Sequence, residues 1–220
     1  MRVGTWNLAG RWGPEHKRLL ADLKCDVLLL TEVNDGAGLD GYWAHTTAAL
    51  MRPKVSWASV LSLKPLRALP DPHPATAAVE GLGFTWCSSV LPWRSCGADS
   101  VWTGGNHAER TQAAVVGLMS ALGPGPLVWG GDWNHALSGR EHAGSMAGRR
   151  SIEDALRNRG LEVATALLPH ALDGLLSIDH IAVPRGASTT ATRIKAVAGT
   201  VRLSDHDAYL VEWDGPLADG

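Results

Sequence analysis

The sequence predicts an α/β fold in which two β-sheets pack face to face with a few helices outside them. Two observations carry that expectation. Short apolar runs outnumber helical stretches and are separated by Gly and Pro punctuation, which is how a sheet-rich domain reads. The 220 residues also contain no internal repeat, low-complexity tract or linker, so one domain over 1–220 with one continuous core is expected.

The elements follow in order along the chain. Val3 to Leu8 reads as a strand, and Glu15 to Leu23 carries apolar positions at helical spacing. Val27 to Leu30 is a continuous apolar run ending at Thr31-Glu32, as in a strand buried on both faces. Ser56 to Leu63, Thr76 to Val79 and Phe84 to Leu91 are further strands, the last stopped by Pro92. Arg94 to Asn106 is a loop rich in Gly and Ser. Glu109 to Leu122 reads as a helix ended by Gly123-Pro124-Gly125-Pro126. Leu127 to Trp129 is a strand running into Gly130-Gly131-Asp132, followed by a loop from Ser138 to Gly148. Ser151 to Arg159 reads as a helix with Ser151 and Asp154 as its cap. Ile178 to Val183, Ala191 to Ala198 and Ala208 to Trp213 complete the strands.

Composition narrows the classes. Hydrophobic residues make up 45% and charged residues 19%, ordinary for a globular chain. A formal net charge of -2 counts against a tight, sequence-indifferent DNA binder, which is usually basic. The three cysteines, Cys25, Cys87 and Cys96, lack zinc-ligand spacing. Free thiols in a reducing compartment are expected, with a Cys87–Cys96 disulfide as the alternative. The N-terminus lacks a signal-peptide apolar region, and no segment is long and apolar enough to span a bilayer. A monomer in the cytoplasm is the expectation.

Polar residues recur where strands end. Asn7 follows Val3 to Trp6, and Glu32 follows Val27 to Thr31. Asp132 and Asn134 follow Leu127 to Gly131, Asp179 and His180 lie inside Leu175 to Val183, and Asp205 and His206 precede Ala208 to Trp213. Groups at the ends of buried strands converge on one rim of a sandwich. Carboxylates buried there must be paired, hydrogen-bonded or on a metal. With no matching run of lysines, a hard divalent cation such as Mg²⁺ or Mn²⁺ is the favoured partner. Each motif singly is also an ordinary turn or surface pair; the ordered set is what points to chemistry.

That set is Thr5-Trp6-Asn7-Leu8, Leu30-Thr31-Glu32-Val33, Gly130-Gly131-Asp132-Trp133-Asn134, Ser177-Ile178-Asp179-His180-Ile181 and Leu203-Ser204-Asp205-His206-Asp207. In this order it resembles the endonuclease/exonuclease/phosphatase superfamily from Arg2 to about Trp213. The resemblance implies a four-layer α/β sandwich of two mixed sheets. It implies Mg²⁺- or Mn²⁺-dependent hydrolysis of a phosphoester by in-line water. By the same resemblance Glu32 is the principal metal ligand with Asn7 beside it, and Asp132 orients or deprotonates the water. Asn134 holds the phosphate or the transition state. Asp205 is a second metal-side carboxylate or assists the leaving group. His206 binds the scissile phosphate, and Asp179 orients that histidine. Nucleic acid is the first-choice substrate; a small phosphorylated metabolite or lipid head group is the alternative. A non-catalytic binding protein on the same scaffold is the rival from another class.

One departure stands out. Many members of that superfamily have His or Tyr at the end of the strand before a Leu-Pro or Val-Pro pair, where this chain has Val90. Arg94 or His107 from the following loop is the expected substitute. Arg140, in the loop after the Asp132 motif, is the expected grip on a second phosphate. Arg52 reads as a surface charge.

Overall fold

In the first strand Gly4 and Trp6 face one way and Val3 and Thr5 the other, and every residue from Val3 to Asn7 is buried. A strand covered on both faces needs a layer on each side, and the computed structural model, which describes residues 1–97 and 100–214, supplies both. The elements run β1 (Arg2–Asn7), α1 (Pro14–Asp22), β2 (Val27–Asn34), β3 (Trp43–Thr46), β4 (Leu50–Arg52), β5 (Val55–Ser62), β6 (Arg67–Ala68), β7 (Thr76–Gly81) and β8 (Phe84–Val90). Then come α2 (His107–Ala121), β9 (Leu127–Asp132), α3 (Met146–Asn158), β10 (Leu161–Val163) and β11 (Asp179–Pro184). The chain continues through β12 (Thr189–Ile194), β13 (Val197–Ala198), β14 (Val201–Arg202) and β15 (Ala208–Trp213).

Two mixed sheets result. One has the order β12-β15-β1-β2-β5-β3, with β4 also on β5; the other has the order β10-β11-β9-β8-β7-β6. Only β1–β2 and β8–β9 pair in parallel within them. Three apolar clusters fill the three gaps between four layers. Trp6, Leu28 and Leu30 pack on Leu20 and Leu23 around α1. Val3, Leu29 and Val60 of the first sheet meet Val79, Trp86 and Ile181 of the second. Trp129 and Cys87, on the second sheet's outer face, pack on Val115 and Leu118 of α2 and Ile152 of α3. The four-layer α/β sandwich is therefore built by alternation: successive side chains of each central strand go to opposite gaps.

Element boundaries differ from the sequence expectation in three places. Helix α3 begins at Met146, because Ser145 rather than Ser151 is its cap; Ser145 Oγ accepts from Gly148 N at 3.1 Å. Ser151 lies inside the helix and donates to Ala147 O. The strand expected over Ala191 to Ala198 breaks after Ile194, because the Ala196 N–H donates to the Asp207 carboxylate at 3.0 Å. The short strands β3, β4, β6, β10 and β14 carry no apolar run for a sequence to show; β3 is half-exposed along its length. The loop expected over 94–106 includes residues 98–99, which lie outside the described residues. Cys25, Cys87 and Cys96 are all free and buried, so no Cys87–Cys96 disulfide forms. Among the described residues no helix is long and apolar enough to cross a membrane.

Candidate active site

The strand registers bring the acidic motifs to one rim. Asp179 opens β11 directly opposite Asp132, the last residue of β9. Asn7 ends β1, and Glu32 lies near the end of β2 beside it. Local backbone aims these side chains. Glu32 has φ 48 and Asn134 φ 52, left-handed values that cost a non-glycine residue about 1 kcal/mol or more. The β2–β5 ladder skips Glu32 between Thr31 and Val33, so its carboxylate leaves the strand's regular alternation. Gly131 has φ +120 and lies against the backbone of Ser89, 2.8 Å from its N to where a Cβ would stand. Only glycine lets β9 approach β8 this closely and still present Asp132.

Asn7 joins the two sheets. Its Nδ2 donates to Glu32 Oε1 at 3.1 Å and to Asp132 Oδ2 at 2.9 Å, while its Oδ1 accepts from Ala9 N. The other Asp132 oxygen accepts from Asn134 N at 3.0 Å. Asn134 anchors one amide N–H on Leu91 O at 3.0 Å. On the far side His206 Nδ1 lies 2.7 Å from Asp179 Oδ2, and its Nε2 faces Asp132 Oδ2 at 4.0 Å. Ser204 holds this end in place: its hydroxyl donates to Asn7 O at 2.7 Å and accepts from His206 N. That hydroxyl has one proton, so the 3.4 Å approach of Asp205 Oδ1 leaves Asp205 exposed and unanchored. Asp207 turns away from the cleft. It is fully buried and binds Arg193 and Arg202, tying the His206 turn to β12.

Charge is concentrated here. The Asp132 carboxyl is pushed up to about 7, chiefly by burial and then by Asp179 and Glu32, against His206 and Asn7. Burial works against a charged His206, but Asp179 and Asp132 outweigh it and raise the ring to about 10. Ligand atoms of Asp132, Asp179 and His206 lie within 4.8 Å of one another. Asp179 Oδ1 is buried with no hydrogen-bond partner among the described residues. Three carboxylates share this space, and the ion pairs that reach them come from His206 and Arg52. The excess of acidic oxygens over cationic partners around Glu32 and Asp132 fits a hard divalent cation.

The remaining expected residues lie apart from this cluster. His107 spends both ring nitrogens on structure, on Ser145 Oγ at 3.1 Å and Pro92 O at 3.0 Å. Arg94 points its Nε at Gly144 O at 3.0 Å. Both brace the loop between β9 and α3; His107 has no ring nitrogen left for a phosphate, while Arg94 engages Gly144 O through Nε and Nη2 alone. Val90 is buried in register with Asp132 and packs in the outer core. Arg140 is exposed on the same loop. His180 is also structural: its Nε2 bonds His135 O at 2.9 Å, and burial lowers its pKa to about 4.

Two residues join the site without any signal in the sequence. Arg52, expected to be a surface charge, reaches Glu32 Oε2 at 3.3 Å and Ala9 O at 2.9 Å. The β4–β5 pairing brings it there, and no motif marks it. His170 sits beside His206 with ring centroids 6.1 Å apart. It comes from a loop without a recognisable pattern.

A profile of the endonuclease/exonuclease/phosphatase family matches residues 4–206. The chain belongs to that family. With membership comes the class of reaction, hydrolysis of a phosphoric ester. No curated protein matches the sequence. Solved structures with the same fold include a 3'-5' exonuclease from Neisseria meningitidis, 19% identical with a TM-score of 0.73, covering 98% of this chain and 100% of that one. An AP endonuclease from Archaeoglobus fulgidus is 14% identical with a TM-score of 0.74, again over 98% and 100%. A Neisseria 3' phosphatase bound to product DNA hairpin is 18% identical with a TM-score of 0.74 and the same coverage. At these identities the likeness is one of fold.

Proposed function

We propose that this chain is a divalent-metal-dependent phosphodiesterase acting on nucleic acid. The observation that carries the proposal is the convergence of Asn7, Glu32, Asp132, Asp179 and His206 on one rim, linked by the Asn7 and Asp179 hydrogen bonds. The DNA-directed activities named for its structural neighbours support the choice of substrate. Glu32 with Asn7 beside it would hold Mg²⁺ or Mn²⁺, with Asp205 free to approach from the exposed side. When bound, the ion neutralises phosphate charge and polarises the P–O bond.

The chain's own groups supply the rest. Asp132, raised toward neutrality by its burial, orients the attacking water and takes its proton. His206, kept charged by Asp179, holds a phosphate oxygen and stabilises charge that grows in the transition state. Asn134 offers its second amide N–H to the same group. His206 Nδ1 is engaged by Asp179 at 2.7 Å, so this pair serves as an oriented acid rather than as metal ligands. Arg52 and Arg140 are candidate contacts to neighbouring phosphates. The three free, buried cysteines support a reducing compartment, the cytoplasm.

The net charge of -2 favours a second reading, a small phosphorylated metabolite or lipid head group. One panel separates the two: hydrolysis with and without Mg²⁺ or Mn²⁺ of an aryl phosphodiester, an aryl phosphomonoester, single-stranded and duplex DNA, DNA ending in a 3' phosphate, and RNA. Asp132→Ala and His206→Ala run alongside. Metal-dependent turnover of DNA lost in both variants is expected. Turnover confined to monoesters would replace nucleic acid with a small substrate. Equal rates for wild type and variants on every ester would leave only a binding role.

A further inference from the structure

The stretch between β10 and β11 carries no motif, yet it folds into a pinned loop beside His206. Ser177 N–H donates to Leu168 O and His170 N–H to Leu175 O, each at 2.9 Å, and Pro169 bridges to Leu176. From beneath, the buried Tyr209 hydroxyl donates to Pro169 O at 2.9 Å. Tyr209 is on β15, just after His206 in sequence, so the loop and His206 share one support.

His170 is the residue this loop presents. Its ring lies 6.1 Å from that of His206 with the planes at 70°, and 5.4 Å from that of His142. Leu172 N–H donates to His170 Nδ1 at 2.9 Å. A ring nitrogen that accepts a hydrogen bond carries no proton, so the neutral ring is protonated on Nε2. Burial lowers its pKa and favours that neutral form. The Nε2–H has no protein partner among the described residues; His170 as a whole is 7% exposed, and Nε2 is not one of the buried atoms that lack a partner, so it opens to solvent. It is thus a donor of fixed tautomer that water, or a ligand displacing that water, can reach. Val90, in register with Asp132 on the neighbouring strand, offers no donor at all.

We propose that His170 is a catalytic residue whose Nε2–H donates to a non-bridging oxygen of the phosphate held by His206. As a neutral donor it shares the charge that grows on that oxygen without placing a second cation in the site. The proposal rests on the reading of His206 as the phosphate-binding group.

The test compares kcat and KM for bis(4-nitrophenyl) phosphate with Mn²⁺ in wild type, His170→Ala, His170→Gln and Asp132→Ala, together with Mn²⁺ affinity and thermal unfolding. His170→Ala should lose about 10- to 100-fold in kcat with KM, Mn²⁺ affinity and unfolding temperature little changed. His170→Gln keeps an N–H on a side chain of similar reach and should recover most of the loss. Independently of turnover, long-range ¹H–¹⁵N spectra of the histidine rings should show the His170 Nε2 resonance moving saturably as inorganic phosphate is added with Mg²⁺. An active wild type with an equally active His170→Ala, or a His170 resonance unmoved by phosphate, overturns the proposal alone. A wild type no faster than Asp132→Ala overturns the underlying reading, and the proposal goes with it.

Discussion

Replacing Asp179 with Asn isolates the part of the site that the geometry defines most tightly. The His206 ring is raised to about 10 against the lowering effect of burial, and Asp179 is the first of the groups that raise it. With a neutral amide 2.7 Å from Nδ1, the ring falls back toward its ordinary 6.5 or below. At pH 8 a group with that pKa is only about 3% protonated, roughly a 30-fold loss of the charged form. The amide also loosens the choice of tautomer, which adds to the deficit. Together these predict a fall in kcat of about 10²- to 10³-fold at pH 8. The sign with pH follows from the raised pKa. Charge on His206 is complete in both proteins well below 6.5, so the deficit should narrow as pH falls toward 6. The assay is kcat on an aryl phosphodiester with Mn²⁺ from pH 5.5 to 9. A variant within threefold of wild type at pH 8, or a deficit that does not narrow toward pH 6, refutes the reasoning.

Three further outcomes follow from the same cluster. Asp132 has its carboxyl raised from 3.8 to about 7, so its ionised form weakens the metal-free fold as pH rises from 4 to 7, by an amount on the order of a few kcal/mol. Asp132→Asn should therefore raise the unfolding temperature of metal-free protein at pH 8 by several degrees while abolishing turnover; a lower unfolding temperature contradicts this. Gly131→Ala places a Cβ against the Ser89 backbone at φ +120. It should cost about 3 kcal/mol or more, a fall of about 6–12 °C by calorimetry, and a change under 2 °C would show that β8 and β9 can part freely. Arg52 occupies Glu32 Oε2 at 3.3 Å and competes with a cation there. Arg52→Gln should tighten Mn²⁺ binding about 3- to 10-fold by titration calorimetry at low salt, and weaker binding would exclude the competition.

Much of this molecule is legible from the sequence because its central strands are buried on both faces. Continuous runs such as Val27 to Leu30 admit few other readings, and polar residues at the ends of such runs have few places to go but a shared rim. The same logic locates Asn7, Glu32, Asp132, Asp179 and His206 before any coordinates. It fails where a side chain's partner is distant in sequence and no local pattern records it. Ser145 outcompetes Ser151 as a cap because the chain reaches Gly148 N in the right geometry. His107 and Arg94 read as free loop groups, but both His107 ring nitrogens are held by Ser145 and Pro92 oxygens, and the Arg94 Nε and Nη2 by Gly144 O.

The sequence by itself determined the fold class, the acidic rim and the family, since strand periodicity and ordered short motifs are local properties of a chain. Only the tertiary structure decided which polar groups are free to act. That depends on hydrogen bonds between residues far apart in sequence, such as Arg52 with Glu32 and Tyr209 with Pro169 beneath His170. A side chain's remaining donors are known only after its partners have been placed.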